Sequence, residues 1–222
     1  MKICLVTKGS LSKFWERDVK KTAGAKITAF GFNGLGVVSY ESELEGETEF
    51  FQDIARFSKA SGSVTVSGLD TDTYGYFRRS AVIADGGRIL GVSDAVFMSG
   101  DSEYSGGAEF TVYDTSAGRL GVLVSSDLYS PKAAETLVLS GAEIIMAIIK
   151  KPTGDMPETV SRTMSFLYGI PIVAVSDGYA FVTAPNGKKT FSCTENSAVD
   201  VKTEKYYEEV FYKRRGFALK TH

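Results

Sequence analysis

Ser125, Ser126 and Asp127 stand directly after an apolar run, Leu120 to Val124, and just before Ser130-Pro131, a pair suited to opening a helix. A hydroxyl at the end of a strand can serve as a nucleophile if a base takes its proton. A serine hydroxyl is far less acidic than a thiol, so it needs a well-placed His, Lys or equivalent base. The chain has one histidine, His222, its last residue, which argues against a Ser-His-Asp relay. Two lysines compete for the role. Lys8 ends the first apolar strand, and Lys150 ends the strand that follows the helix after Ser125. Either would have to be desolvated to act as a base at neutral pH. The plainer reading of both lysines is solvated surface charge. For the Ser-Ser-Asp run it is turn chemistry, with side chains holding backbone N–H groups.

Those residues are placed by strands that alternate with helices. Lys2 to Val6 reads as a short buried strand. Leu11, Phe14, Trp15 and Val19 recur at helical spacing, with Ser10 or Ser12 as N-cap and Gly24 at the close. Ile27 to Phe30 is the next strand, Asn33 to Glu47 is loop-rich, and Phe50, Phe51, Ile54 and Phe57 mark a second helix that Gly62 ends. Val64 to Gly68 makes a short strand. Tyr76 to Ala84 and Arg88 to Ser93 flank Asp85-Gly86-Gly87, a hairpin signal. Ala108 to Asp114 pairs with Leu120 to Val124. A helix starts at Pro131, and Ile144 to Ile149 is a continuous apolar run expected to be buried on both faces. Pro157 to Tyr168 is a helix, Ile170 to Val175 a strand, and Pro185-Asn186-Gly187 turns a last hairpin. Tyr206, Tyr207, Val210 and Phe211 give the tail a helix-like apolar face. Such interleaving points to layered α/β, two sheets face to face with helices outside.

Composition narrows the function classes. The 222 residues suit one domain spanning 1–222. A net charge of −2 gives no case for nucleic acid, and Lys213-Arg214-Arg215 is offset by Glu208 and Glu209. No apolar run approaches the roughly 18–20 residues of a membrane span. The opening MKICLVTKG reads as a strand, not a signal peptide. Cys4 and Cys193 give no disulfide framework and fit a reducing cytoplasm as small strand fillers. No His or Cys spacing suits a metal, and no cofactor is expected. Glu41, Glu43, Glu45, Glu47 and Glu49 lack a calcium-loop pattern and read as a solvated acidic face. Gly31 to Gly36 is a plain glycine-rich loop, not a phosphate cradle.

The segment Gly118 to Glu143, GRLGVLVSSDLYSPKAAETLVLSGAE, resembles the nucleophile segment of the carbon–nitrogen hydrolases, the nitrilase/amidase superfamily. There a strand ends in Cys-x-Asp and a Pro opens the next helix. Here Asp127 and Pro131 fit, and Ser125 stands at the Cys position. The resemblance runs along nearly the whole chain, and it implies a four-layer α-β-β-α sandwich of two mixed sheets. It also implies a Glu base, a Lys and a Cys. The Glu position falls on Phe32, with Glu41 nine residues beyond in a loop, and the Lys position falls on Asp94 or Ala95. Glu103 matches the family's accessory acidic residue or is a solvated loop residue. Ser140 to Ile145 resembles the family's Gly-Ala-Asp strand entry. With Glu, Lys and Cys all replaced, three readings stay open. One is a catalytically degenerate relative that binds a small molecule or protein in a pocket lined by Phe32, Asp94, Ser126 and Asp127. Another is a divergent amide or nitrile hydrolase with Ser125 as nucleophile and Lys150 or Lys8 as base. The last is an assembly role, since relatives pair through the corresponding helices. A homodimer through helices 130–141 and 157–168 would use Leu137, Leu139, Met164, Phe166 and Leu167.

Overall fold

The computed structural model describes residues 1–98, 103–152 and 154–204. In chain order these form β1 (Lys2–Val6), α1 (Leu11–Asp18), β2 (Ile27–Phe30), β3 (Gly36–Ser39), α2 (Tyr40–Glu45), α3 (Phe50–Ser61), β4 (Val64–Thr73), β5 (Tyr76–Asp85) and β6 (Arg88–Asp94). Then come β7 (Val112–Thr115), β8 (Gly118–Val124), α4 (Pro131–Leu139), β9 (Ile144–Ile149), α5 (Met156–Tyr168), β10 (Ile172–Ser176), β11 (Tyr179–Thr183), β12 (Lys189–Cys193) and β13 (Ser197–Asp200). The tail residues Tyr206 to Phe211, the Lys213–Arg215 run and His222 lie outside the described residues.

The strands make two mixed sheets. One runs β13-β1-β2-β4-β5-β6, with β3 also paired to β4; the other runs β12-β11-β10-β9-β8-β7. In the first, β1, β2 and β4 are mutually parallel. In the second, β8, β9 and β10 are parallel. Period-two alternation divides each strand between two cores. Val64 and Val66 of β4, Val122 and Val124 of β8, and Met146 and Ile148 of β9 fill the space between the sheets. Leu123, Ile145, Ala147 and Ile149 point the other way, against α4 and α5. On the far side Phe14 of α1 and Ile54 and Phe57 of α3 cover the first sheet, with Phe14, Phe30 and Phe57 packed edge to face. The result is the four-layer α-β-β-α sandwich.

Several elements depart from the sequence expectation. Residues 33–47 are not all loop: β3 and α2 lie within them, because β3 finds a parallel partner in β4 that local propensity cannot reveal. That pairing and the hairpin with β5 extend β4 to Thr73, well past Gly68. Ser197–Asp200 forms β13 against β1, although its burial is only partial. Gly46 in the left-handed region (φ 76°) ends α2.

The acidic stretch also has a member that is not merely solvated. The N-cap residue of α3, Glu49, makes no side-chain cap. Glu43 of α2 reaches across instead and accepts from the backbone N–H groups of Phe50 and Phe51 at 2.9 and 3.0 Å, as well as from the Thr48 hydroxyl. A carboxylate there meets the orphan N–H groups and the positive end of the helix dipole. Glu43→Ala should therefore lower stability by about 1–2 kcal/mol in urea unfolding. An unchanged midpoint would refute the capping role.

Candidate functional site

The parallel strands of both sheets deliver their C-terminal ends to one rim, the place where sites collect in α/β folds. β2 exits into Phe32, β8 into Ser125, β9 into Lys150 and β10 into Asp177; β4 passes the same rim at Asp70. Lys150 continues the inward alternation of Met146 and Ile148, and Asp70 continues that of Val66 and Gly68. The two therefore meet across the gap between the sheets. Lys150 Nζ donates to Asp70 Oδ2 at 2.6 Å and lies 4.8 Å from the centroid of the Phe32 ring. Asp70 is buried, its side chain only 5% exposed, whereas that of Lys150 keeps 27%. Asp70 Oδ1 is buried and has no hydrogen-bond partner among the described residues.

Ser125 stands beside this pair. Its φ of 53° is in the left-handed region, which costs a residue with a side chain about 1 kcal/mol or more, and it begins a 3-10 turn through Tyr129. Its Oγ accepts from the backbone N–H of Lys150 at 3.4 Å. Phe32 is 1% exposed and belongs to the core between the sheets. A Cβ on Gly68 would come within 2.8 Å of its ring, so β4 needs a glycine where Phe32 packs. Gly31 has the same logic. A Cβ there would meet Asp177 Oδ1 at 2.5 Å, and the neighbouring Asn33 N–H donates to that carboxylate at 3.0 Å. Burial raises the Asp177 carboxyl above its ordinary range, against the Asn33 hydrogen bond and the charge of Lys150.

Asp127 has a different task. It is 1% exposed, and it accepts from Val96 N at 3.0 Å and Phe97 N at 2.8 Å. Ser126 Oγ donates to Phe97 O. Together they clamp the segment leaving β6 onto the turn leaving β8. Burial pushes the Asp127 carboxyl up to about 6, with the backbone hydrogen bonds opposing.

The structure brings together Ser125, Lys150 and Phe32 from the sequence-derived set and adds Asp70 and Asp177. Ser126 and Asp127 are adjacent but turned to the β6 exit. Lys8 does not join them: its ammonium pairs with Glu195 on the exposed surface, and its backbone N–H donates to Asn196 at 2.9 Å. Asp94 accepts from Ser80 at 2.6 Å and pairs with Arg78 at 3.5 Å, so it is spent within its own sheet. Ala95 is a fully buried core residue. Glu103 is exposed in a turn. Asp70 escaped the sequence reading because Asp70-Thr71-Asp72 looks like a polar turn; pairing with β5 on one side and β3 on the other makes it strand. Cys4 and Cys193 are free thiols in β1 and β12. Among the described residues no group of three or more His, Cys, Asp or Glu side chains is placed to hold a metal ion, and no helix is long and apolar enough to cross a membrane.

Residues 34–199 match the carbon-nitrogen hydrolase family. The chain belongs to that family. A probable nitrilase of Schizosaccharomyces pombe is 27% identical over 120 residues, 48% of this chain and 44% of that relative, so the match spans less than half of the relative's length. Two solved structures share the fold. An amidase from Nesterenkonia sp. has a TM-score of 0.74 at 17% identity, covering 89% of this chain and 88% of that one. A carbon-nitrogen hydrolase from Helicobacter pylori G27 has a TM-score of 0.71 at 19% identity, covering 90% and 88%. Of the residues that the resemblance singles out, Phe32 and Ala95 are core residues, Asp94 is paired within its own sheet, and Ser125 stands on a strained strand exit. The ion pair at this rim joins Asp70 of β4 to Lys150 at the end of β9.

Proposed function

We infer that this member of the carbon–nitrogen hydrolase family no longer hydrolyses amides or nitriles, and that it acts by binding a small molecule or a protein partner at the strand-end rim. The observation that carries this reading is the 2.6 Å pair between Lys150 Nζ and Asp70. An ammonium held by a carboxylate has no lone pair with which to take a proton from Ser125, and a serine without a base is a poor nucleophile. Phe32 adds to it by putting an aromatic ring where the resemblance calls for a general base. In a mutant of the Nesterenkonia amidase acrylamide adds to an active-site cysteine; Ser125 offers no such thiolate.

One observation favours the alternative of a divergent hydrolase. Ser125 retains a left-handed φ of 53° although a glycine would relieve it, and strained backbone gathers at functional sites. In that reading Lys150 is the base and leaves Asp70 during the reaction. Ammonia release from a panel of amides and nitriles separates the two. The expected result is no release above a blank from either the native protein or Ser125→Ala, both folded. Release that disappears in Ser125→Ala would overturn the binding reading. Self-association through α4 and α5 belongs to the same proposal. Leu139 and Leu167 are 66% and 40% exposed there, while Leu137 and Met164 are core residues and cannot take part.

A further inference from the structure

The three most exposed large apolar side chains in the described residues gather at one end of the first sheet. Leu44 on α2 is 81% exposed, Tyr74 at the β4–β5 turn 73%, and Tyr76 at the start of β5 68%. Leu44 and Tyr74 line a groove of about 520 Å³ whose other walls are Glu41, Ser42, Glu45 and Glu47. Among the described residues these three glutamates have no cationic partner; Glu47 accepts only from the Ser42 hydroxyl. An apolar floor with a one-signed rim suits an occupant that is apolar and carries the opposite charge.

The chain contains one segment with that character. Residues 210–220, VFYKRRGFALK, hold Lys213, Arg214, Arg215 and Lys220, no carboxylate, and apolar side chains at Phe211, Phe217 and Leu219. The described chain ends at Glu204, close beyond Val201, which exchanges hydrogen bonds with Met1. Lys2 pairs with Asp200, and Ile3, Ile27 and Val64 lie in register. Tyr74 is ten residues beyond Val64 and three strands across from β13. At ~3.3 Å per residue and ~4.8 Å per strand the span from Asp200 is about 39 Å. Thirteen extended residues can span about 43 Å, so the chain is long enough for the segment that follows to reach the groove.

We propose that residues 210–220 dock in this groove of their own chain, the basic run against Glu41, Glu45 and Glu47 and the apolar side chains against Leu44 and Tyr74. Tethering raises the effective concentration of the segment to the millimolar range, so a weak contact suffices.

The test is disulfide trapping in the full chain. Leu44→Cys and Phe217→Cys are combined in a Cys193→Ser background and oxidised mildly. A monomeric, intrachain cross-link is expected. Its yield should fall about tenfold when Glu41, Glu45 and Glu47 become Lys, and return when Lys213, Arg214 and Arg215 also become Glu. Leu139→Cys paired with Phe217→Cys, on a helix of the opposite layer, should trap poorly. Cross-links only between chains would assign the segment to a second copy and overturn the proposal. Equal yields at positions 44 and 139, or indifference to charge reversal, would overturn it as well. Leu44 is almost fully exposed, so its replacement leaves the fold intact.

Discussion

Lys150→Met is expected to destabilise the protein by about 2–4 kcal/mol, a fall of roughly 6–12 °C in Tm for a mid-range loss in a chain of this size. The Asp70 side chain is 5% exposed, and its Oδ1 already lacks a partner among the described residues. Removing the ammonium leaves both oxygens of a buried carboxylate without a cation, the most damaging way to break an ion pair. The loss stays below the largest reported for buried pairs because the Lys150 side chain keeps 27% of its surface in water. Asp70→Leu combined with Lys150→Met should recover most of that stability, since the rim then closes with apolar contacts continuous with Phe32 and Ile148. Urea unfolding of the three proteins checks this. A single variant as stable as the native protein would mean that Asp70 is solvated or repaired by another cation, and the pair would no longer explain why Lys150 is unavailable to Ser125.

This pair also shows where sequence reading succeeds and where it stops. Ile144 to Ile149 is an uninterrupted apolar run, so burial on both faces was legible, and with it the position of Lys150 at a strand end. The order strand, Ser-Ser-Asp turn, Pro-initiated helix was equally legible, because caps and turns are set by residues adjacent in sequence. Asp70 was not. Asp70-Thr71-Asp72 is strand because it pairs both with β5 and with β3, which lies about thirty residues earlier and is itself only four residues long. Lys8 and Lys150 look alike as strand-end lysines. What separates them is that Lys150 faces Asp70 across the gap between the sheets, whereas Lys8 faces Glu195 outside it. Such partner choices are long-range, and no local pattern carries them. The left-handed φ of Ser125 was hidden for a related reason: a serine at a strained exit reads as an ordinary turn residue.

The Asp127 clamp should make stability fall as pH rises. The carboxyl is raised from 3.8 to about 6 in the folded chain, with burial as the first cause. Between those values the folded protein binds a proton that the unfolded chain has released, so stability declines from about pH 4 and levels off above about pH 6. A shift of about two pH units corresponds to about 3 kcal/mol. Asp127→Asn keeps an oxygen to accept from Val96 N and Phe97 N and cannot ionise. The stability of the native protein minus that of Asp127→Asn, from urea unfolding, should therefore drop by about 3 kcal/mol between pH 4 and 6.5 and then stay flat. Asp127→Ala should be destabilised at every pH, because two part-buried N–H groups lose their acceptor. A difference that rises with pH would mean that the backbone hydrogen bonds outweigh burial and hold the carboxylate ionised. The segment leaving β6 would then be fixed by charge-assisted bonds and released in acid. A falling difference means that the protonated clamp is the stable one, and that the turn beginning at Ser125 is held most firmly below pH 6.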